Sequence, residues 1–170
     1  MASWYQRKMK KTLIIAEAGV NHNGDINLAK DLIKAAAKSG ADIIKFQTFK
    51  ADQLVIENAA KANYQKDISN LGESQLSMLK KLELSQNEID ELISFAGLNN
   101  IEFLSTAFDL ESLDYLIKLK LKRFKIPSGE ITNLPYLRII GAQNKLTIMS
   151  TGMANLEEIS SAISTLIKAG

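Results

Sequence analysis

Two lysines, two glutamates and a set of hydroxyl and amide side chains stand where short apolar runs of this sequence give way to polar residues. Glu17 is followed by Gly19, Asn21, His22, Asn23 and Gly24. Lys45 and Gln47 fall near the end of a second run, with Thr48 behind them. Ser105 and Thr106 end a third run, and Lys125 in the fourth leads to Ser128, Gly129 and Glu130. Ser150, Thr151 and Gly152 finish a fifth. Cationic amines, hydroxyls and glycine-flanked backbone N–H groups are the donors that hold a phosphate or another small anion. Glu17, Glu130, Gln47 and Asn21 can bind sugar hydroxyls, and either glutamate can take or deliver a proton.

Each of these residues also has a plainer reading. A lysine inside a strand, Lys45 included, can pair with a barrel-core glutamate for structure alone. Thr106 and Ser150, taken singly, serve as strand ends or helix caps. His22 in Asn-His-Asn-Gly reads as a turn residue satisfied by backbone rather than as a metal ligand, since the chain has 1 histidine. Tyr64 and Gln65 can be mere surface. The functional reading rests on convergence, because successive runs end in the same kind of residue.

Those ends come together only if the runs are strands of one parallel sheet. Strands are expected at Leu13 to Ala18, Ile43 to Thr48, Ile101 to Thr106, Arg123 to Ile126 and Lys145 to Ser150. Between them lie amphipathic helical stretches with their own start signals. Asp25 caps one that carries Leu28, Leu32, Ile33 and Ala36, and Gly40 ends it in a left-handed turn. Ser85 with Glu88, and Asn155 with Glu158, have the spacing of capping boxes, and Asp109 caps a further helix. The segment from Phe49 to Leu84 is too long for a plain loop and is expected to be partly helical around Ser74 to Lys81. Strand–helix alternation means an α/β fold with a parallel sheet, whose ligand site lies at the carboxyl ends of the strands. Five units across 170 residues give about 34 residues each, close to the roughly 31 per unit of a (β/α)8 barrel. The period of two puts Lys45 and Gln47 on one face of their strand, opposite Ile44 and Phe46.

Composition narrows the classes. The chain is long enough for one domain and not two. With 46% hydrophobic and 24% charged residues it has a globular composition, and a net charge of +2 gives no reason to expect a nucleic acid or a membrane as partner. A cysteine count of 0 excludes disulfides, thiolate metal sites and a cysteine nucleophile, and makes a cytoplasmic setting the natural expectation. Lys8 to Lys11 before Leu13-Ile14-Ile15-Ala16 imitates a signal peptide, but the apolar stretch is short and Glu17 interrupts it. Residues 1–10 carry no pattern and read as an extension; residues 11–170 read as the structured domain.

Five segments in this order resemble the N-acylneuraminate synthase family, which includes sialic acid and legionaminic acid synthases. They are Ile14-Ile15-Ala16-Glu17-Ala18-Gly19-Val20-Asn21-His22-Asn23-Gly24, Ile44-Lys45-Phe46-Gln47-Thr48, Phe103-Leu104-Ser105-Thr106-Ala107-Phe108, Phe124-Lys125-Ile126-Pro127-Ser128-Gly129-Glu130 and Met149-Ser150-Thr151-Gly152-Met153. Ala107 departs from the proline of many relatives. Tyr64-Gln65 and Glu73-Ser74-Gln75 lean toward the sialic/legionaminic branch. The resemblance implies the front five βα units of a TIM-type barrel and a condensation of phosphoenolpyruvate with an N-acetylated amino sugar. The sugar would be N-acetylmannosamine or a diacetamido relative. It implies that Lys125, Ser128, Ser150, Thr106 and Lys45 hold the phosphate and carboxylate of phosphoenolpyruvate. Glu17, Gln47 and Asn21 would face the sugar, and Glu130 would handle a proton. Glu17, Glu130 and Lys45 are thus the expected catalytic residues. It also implies a divalent metal, manganese or magnesium, that polarises the sugar aldehyde, with histidine ligands beyond Gly170. Strands six to eight and an antifreeze-like C-terminal domain would likewise lie beyond it. A homo-oligomer is expected, and little activity from this stretch alone. Two alternatives stand beside this reading: a Schiff-base aldolase working through Lys45 or Lys125, and a non-catalytic partial barrel that self-assembles.

Overall fold

The computed structural model of the chain describes residues 12–55 and 74–170. The expected extension at residues 1–10, the Tyr64-Gln65 pair and Glu73 lie outside them. The apolar runs form parallel strands β1 (Ile15–Gly19), β2 (Ile43–Thr48), β3 (Glu102–Ala107), β4 (Arg123–Ile126) and β5 (Leu146–Met149). The second and fourth match the expected boundaries. The first begins later than expected, leaving Leu13 and Ile14 about half exposed.

Seven α-helices are described: α1 (Ile26–Lys38), α2 (Ala51–Leu54), α3 (Gln75–Leu82), α4 (Gln86–Leu98), α5 (Leu110–Lys118), α6 (Leu134–Gly141) and α7 (Leu156–Ala169). Their starts follow local chemistry. Asp25 accepts the N–H groups of Asn27 and Leu28. Ser85 with Glu88, and Asn155 with Glu158, close reciprocal capping boxes. Asp109 accepts Ser112 N–H at 2.7 Å. Such a cap stabilises a helix by about 1 kcal/mol. Gly40, at φ +81°, ends α1 where a side chain would be strained.

Helix α6 is absent from the expected elements. It is short, its second residue is Pro135, and its apolar residues fill most of its surface instead of a stripe. Asn133 at its cap and proline in its first turn were the available signals.

β1, β2 and β3 form one parallel ladder, and β4 and β5 form a second. β3 and β4 lie side by side. One core packs Ile44, Phe46 and Phe103 against Ile33 of α1 and Leu92 of α4. A second packs Phe124 and Ile126 with Leu113 of α5 and Leu137 and Ile140 of α6. The alternate residues of each strand face the other way. Register sorts them into layers. Ile15, Ile43 and Glu102 lie level on their ladder, as do Arg123 and Leu146 on theirs. Glu17, Lys45 and Leu104 come next, with Lys125 beside Ile148, and Gln47 pairs with Thr106 above them. Layered side chains on the inner face are how a TIM-type barrel fills its interior.

Candidate functional site

The charged residues of the second layer meet. Lys45 Nζ lies 2.6 Å from Glu17 Oε2, with the lysine side chain 14% exposed and the glutamate 49%. The structural pairing that a strand lysine can make is therefore realised here. Lys125 Nζ donates to Ser150 Oγ at 2.6 Å and to the Ile126 carbonyl at 2.7 Å. Both acceptors are neutral. Burial holds the Lys125 ammonium below the usual lysine range; Lys45 pushes the same way, and Glu17 opposes both. Two cations thus share one carboxylate, leaving the pocket an excess of positive charge.

The upper rim is built from turns. Gly19 takes φ +56°, and a Cβ there would stand 3.2 Å from Glu17 Oε1 and 3.5 Å from Gln47 Nε2. Glycine lets the chain leave β1 without displacing either side chain. Thr106 is buried at 2% exposure, and among the described residues its Oγ1 has no hydrogen-bond partner. A buried hydroxyl without a partner is costly, so Thr106 carries unused hydrogen-bonding capacity into the site. Ser105, its neighbour, turns to the other face and bonds Thr48 at 2.7 Å. Ser128 opens a 3-10 turn (Ser128–Glu130), and its Oγ is 3.5 Å from where a Cβ on Gly152 would stand. The turns after β4 and β5 are therefore neighbours.

Two expected residues stand apart from the cluster of Glu17, Lys45, Gln47, Lys125 and Ser150. Asn21 is exposed on the turn after β1, where its N–H donates to the Ala18 carbonyl. Glu130 is half-buried on the 3-10 turn, and its Oε2 accepts from Asn133 Nδ2 at 2.6 Å. Asn133 was missed by sequence reasoning because the helix it caps was missed. Arg123 and Glu102 were missed too, although the period of two places Arg123 on the face of Lys125. Arg123 Nε and Nη2 donate to the two oxygens of Glu102 at 2.7 and 3.0 Å.

His22 is the turn residue the sequence suggested. It is fully buried beside Phe46, and its Nδ1 accepts the Gly24 N–H at 3.0 Å. Burial holds its imidazole below the usual range, with Glu88 pulling in the opposite direction. Gly24, at φ +77°, passes so close to the Lys81 carbonyl that a Cβ would collide with it. Among the described residues no three His, Asp or Glu side chains come together as metal ligands. His22 keeps its Nδ1 on backbone while its buried Nε2 has no partner among the described residues; one histidine does not make a metal site, and the family resemblance implies other histidines as the metal's ligands.

The profile of the NeuB family matches residues 32–170. The chain is 62% identical over 162 residues to N,N'-diacetyllegionaminic acid synthase of Campylobacter jejuni, covering 95% of this chain and 48% of that protein. It is 54% identical over 153 residues to the Legionella pneumophila synthase of the same name, covering 90% and 43%. The crystal structure of N-acetylneuraminic acid synthetase from Leptospira borgpetersenii in complex with citrate superposes with a TM-score of 0.75 at 30% identity, over 93% of this chain and 51% of that one. The chain thus spans about half the length of the curated relatives it matches. These likenesses bear out the parallel α/β architecture as part of a TIM-type barrel.

Proposed function

This chain belongs to the NeuB family, and we propose that it supplies the phosphoenolpyruvate side of a synthase site. The reaction joins phosphoenolpyruvate to an N-acetylated amino sugar and yields a sialic-type nonulosonic acid and phosphate. The observation that carries this reading is the pair of inward lysines, Lys45 and Lys125, set against the single carboxylate of Glu17. Such a cluster favours a ligand with more than one negative charge. The two relatives named for a diacetylated product favour a diacetamido sugar over N-acetylmannosamine.

In the proposed reaction the methylene carbon of phosphoenolpyruvate bonds to the aldehyde carbon of the open-chain sugar. The cation left at the phosphate-bearing carbon takes up water, and that carbon's bond to the phosphate oxygen then breaks. Lys125 and Lys45, with Ser128, Ser150 and Thr106, hold the phosphate and carboxylate. Glu17, Gln47 and Asn21 face the sugar, and Glu130 receives the proton of the attacking water. A divalent metal, manganese or magnesium, belongs to the same proposal and would polarise the sugar aldehyde. A homo-oligomer in the cytoplasm belongs to the same proposal.

Phosphate release from phosphoenolpyruvate tests it, with manganese and either N-acetylmannosamine or a diacetamido hexose. The 170-residue chain is compared with one extended to the length of its relatives. Release in the extended chain supports the reading, and the faster sugar identifies the substrate. A folded extended chain that releases no phosphate with either sugar overturns it. One observation favours a Schiff-base aldolase instead: burial leaves Lys125 more readily neutral, and a neutral amine is the nucleophile such chemistry needs. Borohydride with pyruvate separates the two, since covalent trapping at Lys125 would establish the aldolase.

A further inference from the structure

We infer that Asn133 is a positioning residue that aims Glu130 at the reacting centre. This rests on the reading of Glu130 as the proton-handling group. Asn133 divides its side-chain amide between two tasks. Its Oδ1 accepts the Tyr136 N–H at 3.2 Å and so caps α6. Its Nδ2 donates to Glu130 Oε2 at 2.6 Å. The backbone repeats the connection, with Asn133 N–H donating to the Glu130 carbonyl at 3.0 Å. α6 is itself anchored at the top of β3, where the buried Tyr136 hydroxyl donates to the Ala107 carbonyl at 2.9 Å.

The result is a chain of fixed groups running from β3 through Tyr136 and α6 to one oxygen of Glu130. Among the described residues the other oxygen, Oε1, accepts no hydrogen bond. A carboxylate tethered through one oxygen keeps a defined direction for the second, which is what proton transfer to a positioned water requires. A half-buried glutamate on a three-residue turn would otherwise sample several rotamers. A cap alone does not need asparagine, because aspartate, an acceptor only, would take the Tyr136 N–H equally well. What asparagine adds is the donor.

That difference supplies the test. In the chain extended to family length, Asn133→Asp keeps the capping acceptor and removes the donor, while setting a second negative charge against Glu130; Asn133→Gly removes the donor without that charge and at little capping cost. We expect kcat to fall roughly tenfold for the glycine variant and further for the aspartate variant, with KM for phosphoenolpyruvate unchanged in both and the melting temperature unchanged in the aspartate variant. In a Glu130→Gln background, Asn133→Gly should cost nothing more. Equal losses in both backgrounds, or no loss in either single variant, overturn the inference. If Glu130→Gln leaves turnover intact, the role given to Glu130 fails instead. The 170-residue chain offers a check independent of turnover. The Asn133 side-chain amide protons should resonate downfield and move upfield in Glu130→Ala; a resonance indifferent to that substitution overturns the contact itself.

Discussion

The two ends of the inner face spend their charges differently. At the amino ends, Arg123 and Glu102 meet through two hydrogen bonds, with side chains 15% and 17% exposed. Donor and acceptor geometry match, and the exposed Lys122 ammonium lies 3.8 Å from the same carboxylate. At the carboxyl ends, Lys45 holds Glu17, while Lys125 finds only a hydroxyl and a carbonyl, and Thr106 finds nothing among the described residues. One end is closed and the other keeps capacity for a ligand. Burial does not separate the two, since Lys45 is as enclosed as Arg123. The separating feature is whether each polar group's bonds are satisfied from within the chain.

The largest expected effect breaks the open end. Lys125→Ala in the extended chain should lower kcat/KM about a hundredfold or more, near 2.7 kcal/mol, without lowering the melting temperature. A loss of only two- or threefold would remove Lys125 from the site. The counterpart at the closed end is Glu102→Ala, which leaves Arg123 without its carboxylate. It should cost the 170-residue chain about 2 kcal/mol in urea unfolding; an unchanged midpoint would mean that the two ends do not differ in this way.

A smaller effect, shared by neither end, is expected from Ser85→Ala. Losing the reciprocal cap of α4 should cost about 1 kcal/mol, visible as a lower melting temperature with unchanged phosphate release. The last prediction concerns pH. Because burial lowers the pKa of His22 in the folded chain, the unfolded chain binds the proton more readily. The stability contributed by neutral His22 is therefore complete above about pH 6.5 and declines as pH falls below that. His22→Gln should flatten this part of the stability–pH curve. A slope that survives the substitution assigns it to other groups.

Much of this was legible in the sequence because it depends on short range. The capping pairs Ser85–Glu88 and Asn155–Glu158 sit three residues apart, and their bonds close within one helical turn. Lys45 and Gln47 share a face because strand side chains alternate, whatever the sheet does next. α6 escaped because its identity rests on packing: Leu137 and Ile140 lie against the second core, and no polar face marks the opposite side. The contacts that give the site its character are of another kind. Glu17 reaches Lys45 across 28 positions, and Lys125 reaches Ser150 across 25.

The sequence by itself determined the alternation of strands and helices, their starting caps and the residue types at the strand ends, since each follows from neighbours within a turn or a pleat. Tertiary structure alone decided that Glu17 contacts Lys45 and not Lys125, that Thr106 is buried without a described partner, and that Asn133 grips Glu130. Those outcomes depend on register between strands and on how α6 docks, and register is a property of the ladder, set only when distant segments lie side by side.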